Sequence, residues 1–253
     1  MIVPDKPPQD LVANPRADPY VPNFSFARLP LGAKSPLSTQ VFELRYEVYC
    51  LECGFLDPED YRNGIESDEY DDRSAHFTAH NLDHEMVGSL RLVHAPDSRG
   101  FPFEEHCNVL FENVTLPPRD QCGEVSRLVV RKTYRRRAGD TLAGIPQEFL
   151  RADAAVVPDG RVPGERRSNR PELLMGLYRE MYRYSVECGI RYWYAAMERS
   201  LARALARFQF AFVPIGPQVD YYGPVTPYLA DLRELEKKLG ENDPKLLTWF
   251  RGS

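Results

Sequence analysis

The stretch "GEVSRLVVRKTYRRR", Gly123–Arg137, decides the fold, because a strand pattern and a dense positive charge meet in it. Core strands are built mainly from β-branched and other apolar residues, yet this one opens with polar side chains. Strand alternation assigns Glu124, Ser126 and Leu128 to one face, and Val125, Arg127 and Val129 to the other. Charges on both faces of a core strand are costly unless each has a partner. The pattern therefore predicts a polar site inside a sheet.

Positive charge follows this strand directly. Between Arg127 and Arg137 the chain carries six Lys and Arg residues and no acidic residue. At a turn after a strand, backbone N–H groups and cations can hold phosphate, and a positive surface can attract an acidic protein. The basic stretch from Arg131 to Arg137 is thus predicted to hold a phosphorylated arm or an acidic carrier protein. A plain solvated loop is the alternative.

Composition narrows the class of protein. The chain has 253 residues, 43% of them hydrophobic, which is enough for one substantial core or two small ones. A net charge of −5 argues against general nucleic-acid binding, no apolar run has the length of a membrane span, and the first residues lack the pattern of a signal peptide. Five cysteines, an odd number, fit a reducing compartment better than a disulfide framework. We expect a cytoplasmic globular protein.

Periodicity predicts the elements of the first half. The proline-rich residues 1–22 are expected to form an extended or disordered arm, and residues 23–253 a single domain. Three elements follow the arm: a strand at 24–30, a helix at 35–55 capped by Ser38 or Thr39, and a hairpin of strands at 75–80 and 86–95.

The second half predicts helices that alternate with strands. Residues 138–170 have weak periodicity and are expected to be a functional flap or disordered. The elements after them are a helix at 171–189 that begins at Pro171, a strand at 190–197, a helix at 199–210 capped by Ser200, terminal strands within 211–232, and two short helices. A hairpin followed by alternating strands and helices indicates a mixed α/β fold.

The acidic segment 56–72 contains Glu66, Asp68 and Asp71 in an E-x-D-x-x-D spacing. A solvated acidic loop is one interpretation. A calcium loop is a second, although the Gly and the closing Glu of an EF-hand are missing. The third is a group of carboxylates that faces an amine, one of which removes its proton.

Three single arginines lie in otherwise core-like elements: Arg45 in the first helix, Arg91 in the hairpin, and Arg127 in the opening strand. One buried arginine is most often part of a structural salt bridge. Three of them, together with the carboxylates, indicate a polar site within the fold.

Two spacings look like metal sites but predict none. The pair Cys50 and Cys53 lies in a helical pattern and lacks a second C-x-x-C pair. The histidines His76, His80 and His84 are four residues apart, as on a helix, but their segment has the period of a strand. Ordinary packing is the preferred interpretation of both.

In this order, these residues resemble those of the acyl-homoserine-lactone synthases and the N-acyl amino acid synthases. The resemblance is carried by "LRYEVYCLECGF" (44–55), the E-x-D-x-x-D segment (66–71), "GSLRLV" (88–93) and "EVSRLVV" (124–130). In detail the chain resembles most the acyltransferases associated with PEP-CTERM/exosortase gene clusters. The similarity covers residues 24–137, and the C-terminal half more loosely.

The resemblance implies a GNAT-like acyltransferase fold of the α/β (α+β) class, with a mixed central sheet, a splayed strand and helices on both faces. It implies transfer of a long-chain fatty acyl group from acyl carrier protein or CoA to the amine of an amino acid or related small molecule, with no permanently bound cofactor and no metal. The implied catalytic residues are Glu66, Asp68 and Glu124. The implied substrate-binding residues are Arg45, Tyr49, Phe55, Asp71, Arg91, Ser126 and Arg127. The thioester and its phosphopantetheine would meet Leu128, Val129, Val130, Arg135, Arg136, Arg137 and Gly139.

Two departures refine this expectation. The chain keeps Arg136 and Gly139 of the usual GNAT phosphate turn but has Thr141 where a small residue belongs, which argues against acetyl-CoA and favours an acyl carrier protein docked on the basic stretch. The second departure is from the lactone synthases: their Phe and Trp positions are Tyr49 and Phe55 here, and the 138–170 insertion and the tyrosine-rich C-terminal half are not expected of a small S-adenosylmethionine-dependent synthase. It favours an amino acid or a related amine over S-adenosylmethionine as acceptor. A lactone synthase that uses S-adenosylmethionine and a non-catalytic acyl-chain sensor are the alternatives.

Overall fold

The predicted hairpin forms the second and third strands of the sheet. In the computed structural model, which describes residues 18–95, 99–134 and 170–252, β2 (Ser74–His80) pairs antiparallel with β3 (Met86–His94). Phe77 and Leu90 point into the main core, and alternation turns their neighbours to the opposite face of the sheet. The hairpin is confirmed.

The sheet has eight strands and contains both strand directions. The remaining strands are β1 (Ser25–Leu29), β4 (Cys122–Val130), β5 (Tyr192–Met197), β6 (Val213–Pro214), β7 (Val219–Asp220) and β8 (Pro224–Asp231). The order is β1-β2-β3-β4-β5-β8-β6, and β7 pairs with β8. Only β4 and β5 run parallel among these pairs. The mixed sheet is therefore confirmed.

The parallel strands β4 and β5 separate soon after they meet. They pair only at Cys122–Tyr192, Gly123–Trp193 and Glu124–Tyr194. Beyond Glu124, β4 stays paired with β3, while β5 continues along β8 as far as Met197. A gap therefore opens between two parallel strands, which confirms the splayed strand.

A β-bulge interrupts β4 at its polar segment. Ser126 pairs with Arg91 and Val129 pairs with Ser89, so two residues of β4 lie opposite one residue of β3. The first of the two, Arg127, has a φ of 50°, a left-handed conformation that side-chain-bearing residues rarely adopt.

The bulge overturns the predicted alternation beyond Ser126. Leu128 packs against the main core together with Val125, whereas Ser126 and Arg127 both hydrogen-bond to charged residues of the opposite side. The prediction that Ser126 shares a face with Leu128 was wrong, because an extra residue shifts every later side chain to the other face.

Helices cover both faces of the sheet. They are α1 (Pro36–Tyr46) with a π-helical continuation (Glu47–Glu52), α2 (Pro102–His106), α3 (Arg170–Glu187), α4 (Arg199–Arg207), α5 (Leu232–Asn242) and α6 (Pro244–Arg251). Short 3₁₀ turns lie at Pro58–Tyr61, Asp71–Arg73, Arg119–Gln121 and Lys132–Tyr134. α1 packs on one face through Val41, and its π-helical continuation through Val48. α3, α5 and α6 fill the core on the other face. Among the described residues, no helix combines the length and apolar character of a membrane span.

Two predicted helix caps were wrong. α1 is capped by Ser35, whose Oγ accepts from the Ser38 N–H at 3.2 Å while the Ser38 Oγ accepts from the Ser35 N–H at 2.9 Å. Pro36 suits the first helical position, so the cap lies three residues before the predicted Ser38. α4 begins after Glu198, which provides no side-chain cap, and Ser200 donates to the Glu198 carboxylate instead.

Residues 18–22, from the predicted arm, pack on the last helix. The Asp18 carboxylate accepts from the Trp249 indole N–H at 2.7 Å and lies 3.3 Å from Arg179 Nη1. The Tyr20 ring lies 4.9 Å from Trp249, and Val21 is in the main core. Residues 1–17 of the arm lie outside the described residues.

A close contact between α3 and β1 yields a stability prediction. A Cβ at Gly176 would lie 2.0 Å from the ring of Phe26, so Gly176→Ala is expected to lower the free energy of unfolding by about 1–3 kcal/mol through overpacking. Gly240→Ala in α5 is the control, because its Cβ would meet nothing closer than 3.5 Å and should stabilise the helix by ~0.5–1 kcal/mol. Urea unfolding measures both; equal effects of the two variants would contradict the contact.

Candidate active site

The gap between β4 and β5 opens into a cavity of about 180 Å³. β4 lines it from Glu124 to Leu128, and β5 from Ala195 to Met197. The other lining residues come from the π-helical segment and the loop after it, α2, α3, the start of α4 and the β7–β8 hairpin: Tyr49, Phe55, Leu56, Pro102, Tyr178, Glu198, Leu201, Tyr221, Tyr222 and Val225. The cavity is therefore mostly apolar and aromatic with few polar groups, as small-molecule sites are.

Glu124 is a buried carboxyl group in the wall of this cavity. It is 2% exposed and forms no ion pair with a described residue. Its Oε2 accepts from the Phe103 N–H at 2.9 Å. Burial raises its pKa to about 8, because the Phe103 N–H and the charges of Arg91 and Arg127 only partly offset the loss of water. Glu124 can therefore exchange a proton near neutral pH.

A charged cluster adjoins the cavity between α1 and the sheet. It comprises three arginines and three carboxylates, namely Arg45, Arg91, Arg127, Glu66, Asp68 and Asp71. The charges balance, so the cluster is neutral as a whole. Each charged group has a neighbour of opposite charge, as buried charges require. Among the described residues, Arg45 Nη2 and Arg91 Nη2 have no hydrogen-bond partner.

Arg45 and Asp71 form the buried end of the charged cluster. The Arg45 side chain is 0% exposed; its Nη1 lies 2.6 Å from Asp71 Oδ1, and its Nε donates to Glu66. Arg91 Nη1 shares the same Asp71 oxygen at 2.9 Å. Burial alone would raise the pKa of Asp71, but the two guanidinium groups outweigh it and hold this pKa well below its usual range. Burial lowers the pKa of the neighbouring His76 to about 4, so its imidazole is neutral.

Arg127 connects the charged cluster to the cavity. Its Nη2 donates to Asp68 at 2.9 Å and to Glu66 at 3.3 Å, and its guanidinium lies 5.5 Å from the centre of the Tyr49 ring. Arg91 donates to Asp68 from the other side and to the Ser126 hydroxyl at 3.0 Å.

The structure places most of the predicted site residues either in the cavity lining or in the charged cluster. Six of them line the cavity: Tyr49, Phe55, Glu124, Ser126, Arg127 and Leu128. Five others belong to the charged cluster without lining the cavity: Arg45, Glu66, Asp68, Asp71 and Arg91. Val129 and Val130 are buried on opposite faces of β4. Arg135, Arg136, Arg137 and Gly139, with most of the predicted flap at 138–170, lie outside the described residues.

The sequence interpretation missed the contribution of the C-terminal half. Tyr221 and Tyr222 sit at the turn between β7 and β8, and Tyr221 lies near the Arg127 guanidinium. Its ring stacks on His106 at 3.7 Å, and Tyr222 stacks on Phe55 at 6.2 Å. Turns of this length are usually polar, so two adjacent tyrosines before Gly223 were the available signal.

The two metal-like spacings do not converge in the part of the chain that the structure describes. Cys50 and Cys53 are free thiols in and just after the π-helical segment. No group of three His, Cys, Asp or Glu side chains in that part could hold a metal ion. The expectation of a metal-free enzyme stays a prediction.

Comparison with known proteins identifies the architecture. Residues 44–144 match the family model described as an acetyltransferase (GNAT) domain. No curated protein sequence matches the chain. The match to the GNAT domain model, together with the solved structures described next, confirms the GNAT-like fold and the prediction of an acyltransferase enzyme.

Several solved structures share this fold. TofI, in a ternary complex with an inhibitor and MTA, is 16% identical with a TM-score of 0.58, over 87% of this chain and 98% of its own. BjaI with MTA, a CoA-dependent acyl-homoserine lactone synthase, is 17% identical with a TM-score of 0.55, over 85% and 89%. FeeM, an N-acyl amino acid synthase from uncultured soil microbes, is 12% identical with a TM-score of 0.50, over 86% and 96%.

Proposed function

We propose that this protein is an N-acyltransferase that moves a fatty acyl group from an acyl carrier protein or CoA thioester to the amine of an amino acid or a related small molecule. The observation that carries the proposal is the buried carboxyl of Glu124, which forms no ion pair with a described residue and lines the cavity between two splayed parallel strands. The likeness of fold to an N-acyl amino acid synthase supports the same reaction class.

Glu124 is proposed to remove the proton from the acceptor amine. A base with a pKa near the working pH suits this role. At that pH a large share of the molecules carry the deprotonated base, which still binds a proton strongly enough to remove one from the amine. Glu66 and Asp68 are bonded to arginines and lie outside the cavity lining. We therefore assign proton removal to Glu124 alone among the three carboxylates that the resemblance implied.

The transfer itself needs few further groups. The free amine attacks the thioester carbon to form the C–N bond, and the tetrahedral oxyanion accepts hydrogen bonds from N–H groups of β4. As the carbonyl re-forms, the C–S bond breaks and the departing thiolate takes up the proton that the nitrogen releases, so the products are an amide and a thiol. Preorganised N–H donors of this kind typically contribute ~10²–10³ in rate. Tyr49 and Phe55, in the aromatic wall, are proposed to contact the acceptor.

An acyl carrier protein is proposed to dock on the basic stretch that begins at Arg131. Arg131 is the first residue of the predicted docking stretch; its Nε donates to the Met86 carbonyl at 3.1 Å and its Nη1 lies 3.4 Å from Glu47. Docking of an acyl carrier protein there, an association with exosortase gene clusters and a cytoplasmic location stay predictions.

A direct assay tests the proposed function. The purified chain is incubated with a dodecanoyl group on acyl carrier protein or on CoA and with a mixture of amino acids, and products are identified by mass spectrometry. N-acyl amino acids are expected. Glu187→Gln, which changes an exposed glutamate paired with Arg28, is the matched control and should retain the product.

The same assay tests the second candidate function, that of an acyl-homoserine-lactone synthase. Similarity of fold to a CoA-dependent acyl-homoserine lactone synthase favours a lactone product, so S-adenosylmethionine is supplied in a parallel reaction. A homoserine lactone in that reaction alone would replace the amino acid proposal. Donor binding without any product would support an acyl-chain sensor and overturn the enzyme proposal.

A further inference from the structure

We infer that Arg127 acts through its backbone: its ion pairs with Glu66 and Asp68 hold the bulge of β4 so that the N–H of Leu128 faces the thioester carbonyl. Glu66 and Asp68 would then be positioning residues and not acceptor-binding ones. The inference rests on the proposed acyl transfer, because it assigns a donor to the oxyanion of that reaction.

The backbone at this position is strained. Arg127 has a φ of 50°, and chirality disfavours this conformation for every residue with a Cβ. It lies in the bulge, where Arg127 and Leu128 together oppose a single residue of β3. Strain of this kind persists only where surrounding contacts impose it, and it concentrates at functional sites.

The contacts that hold Arg127 in this strained conformation are made by its side chain. The guanidinium binds two carboxylates, Asp68 at 2.9 Å and Glu66 at 3.3 Å, and its side chain is 16% exposed. Each carboxylate is fixed in turn, Glu66 by Arg45 and Asp68 by Arg91. The side chain is thus anchored at both carboxylates, and the backbone that carries it has little freedom to relax.

The strained residue stands directly before the proposed oxyanion donor. Arg127 and Leu128 both line the cavity at the gap between β4 and β5. A bulge leaves its extra residue outside the regular ladder and re-aims the groups beside it. Relaxation of Arg127 to an ordinary extended conformation would rotate the following peptide unit, which contains the Leu128 N–H, away from its catalytic direction.

Two variants that lack the same side chain test the inference. Arg127→Gly and Arg127→Ala both remove the guanidinium and its charge, but only glycine adopts a φ of 50° without a penalty. We expect Arg127→Gly to keep a kcat on the order of tenfold above Arg127→Ala, with equal KM values for the acceptor. A second pair, Arg127→Asn and Arg127→Gln, should show the same order, since Asn tolerates the left-handed region better.

The outcomes separate this inference from the proposed function. Equal kcat values within both pairs, or a rise in the acceptor KM that is shared by all four variants, would show that Arg127 serves through its side chain and overturn the inference alone. Absence of transfer by the unmodified chain would overturn the proposed function and this inference with it. Circular dichroism and thermal unfolding identify a variant that fails to fold, and the other pair then decides.

Discussion

Glu124→Gln is expected to lower the kcat of acyl transfer by about 10²–10⁴-fold, the usual contribution of a general base. The amide keeps the size of the carboxyl group and still accepts from the Phe103 N–H, so the cavity wall should not change. Glu198→Gln is the matched control, because Glu198 is an exposed glutamate in the same cavity lining. A similar loss in both variants would mean that charge in the cavity matters and that Glu124 has no special role.

The pH dependence of kcat gives this prediction a second readout. Burial raises the pKa of Glu124 to about 8, so the group is protonated and inactive as a base below that pH. The rate of the unmodified chain should rise as the pH passes through about 8 and then level off. The Glu124→Gln variant should not show this rise in kcat. An unchanged rise in that variant would assign the titration to another group.

Local patterns in the sequence predicted the elements and the members of the charged cluster. The hairpin follows from period-two alternation, with Phe77 and Leu90 on the core face. Arg45, Arg91 and Arg127 were recognisable because each interrupts an otherwise core-like element, and the structure brings all three to the carboxylates of the acidic segment. Such signals depend on a few neighbouring residues, which is why a single sequence was sufficient.

The internal arrangement of the site was not predictable in the same way. Strict alternation placed Arg127 opposite Ser126, whereas one extra residue in the bulge brings both to the same face. The resemblance grouped Glu124 with Glu66, yet burial leaves Glu124 in the cavity without an ion pair to a described residue, and Arg45 holds Glu66. Tyr221 reaches the cavity from far along the chain. These facts depend on register and on long-range packing, which local patterns do not encode.

Arg45→Met is expected to lower the free energy of unfolding by about 3–5 kcal/mol, the cost of leaving buried charges without their partner. The Arg45 side chain is fully buried and bonded to Glu66 and Asp71. Methionine fills much of the same volume but leaves the three carboxylates of the cluster with two arginines. Arg28→Met is the control, because the Arg28–Glu187 pair is exposed at the surface and such pairs contribute ~0–1 kcal/mol.

The free energy of unfolding at acidic pH distinguishes a lost charge from a packing defect. Because Arg45 and Arg91 hold the pKa of Asp71 below its unfolded value, the stabilisation is complete above a pH of about 4 and is lost as the pH falls through the folded pKa. In Arg45→Met this pKa rises toward its unfolded value, so urea unfolding at pH 7 and at pH 3 should differ less than in the unmodified chain. An equal loss at both pH values would mean that Arg45 contributes through packing, and the charged cluster would then be a weaker support for Arg127 than its geometry indicates.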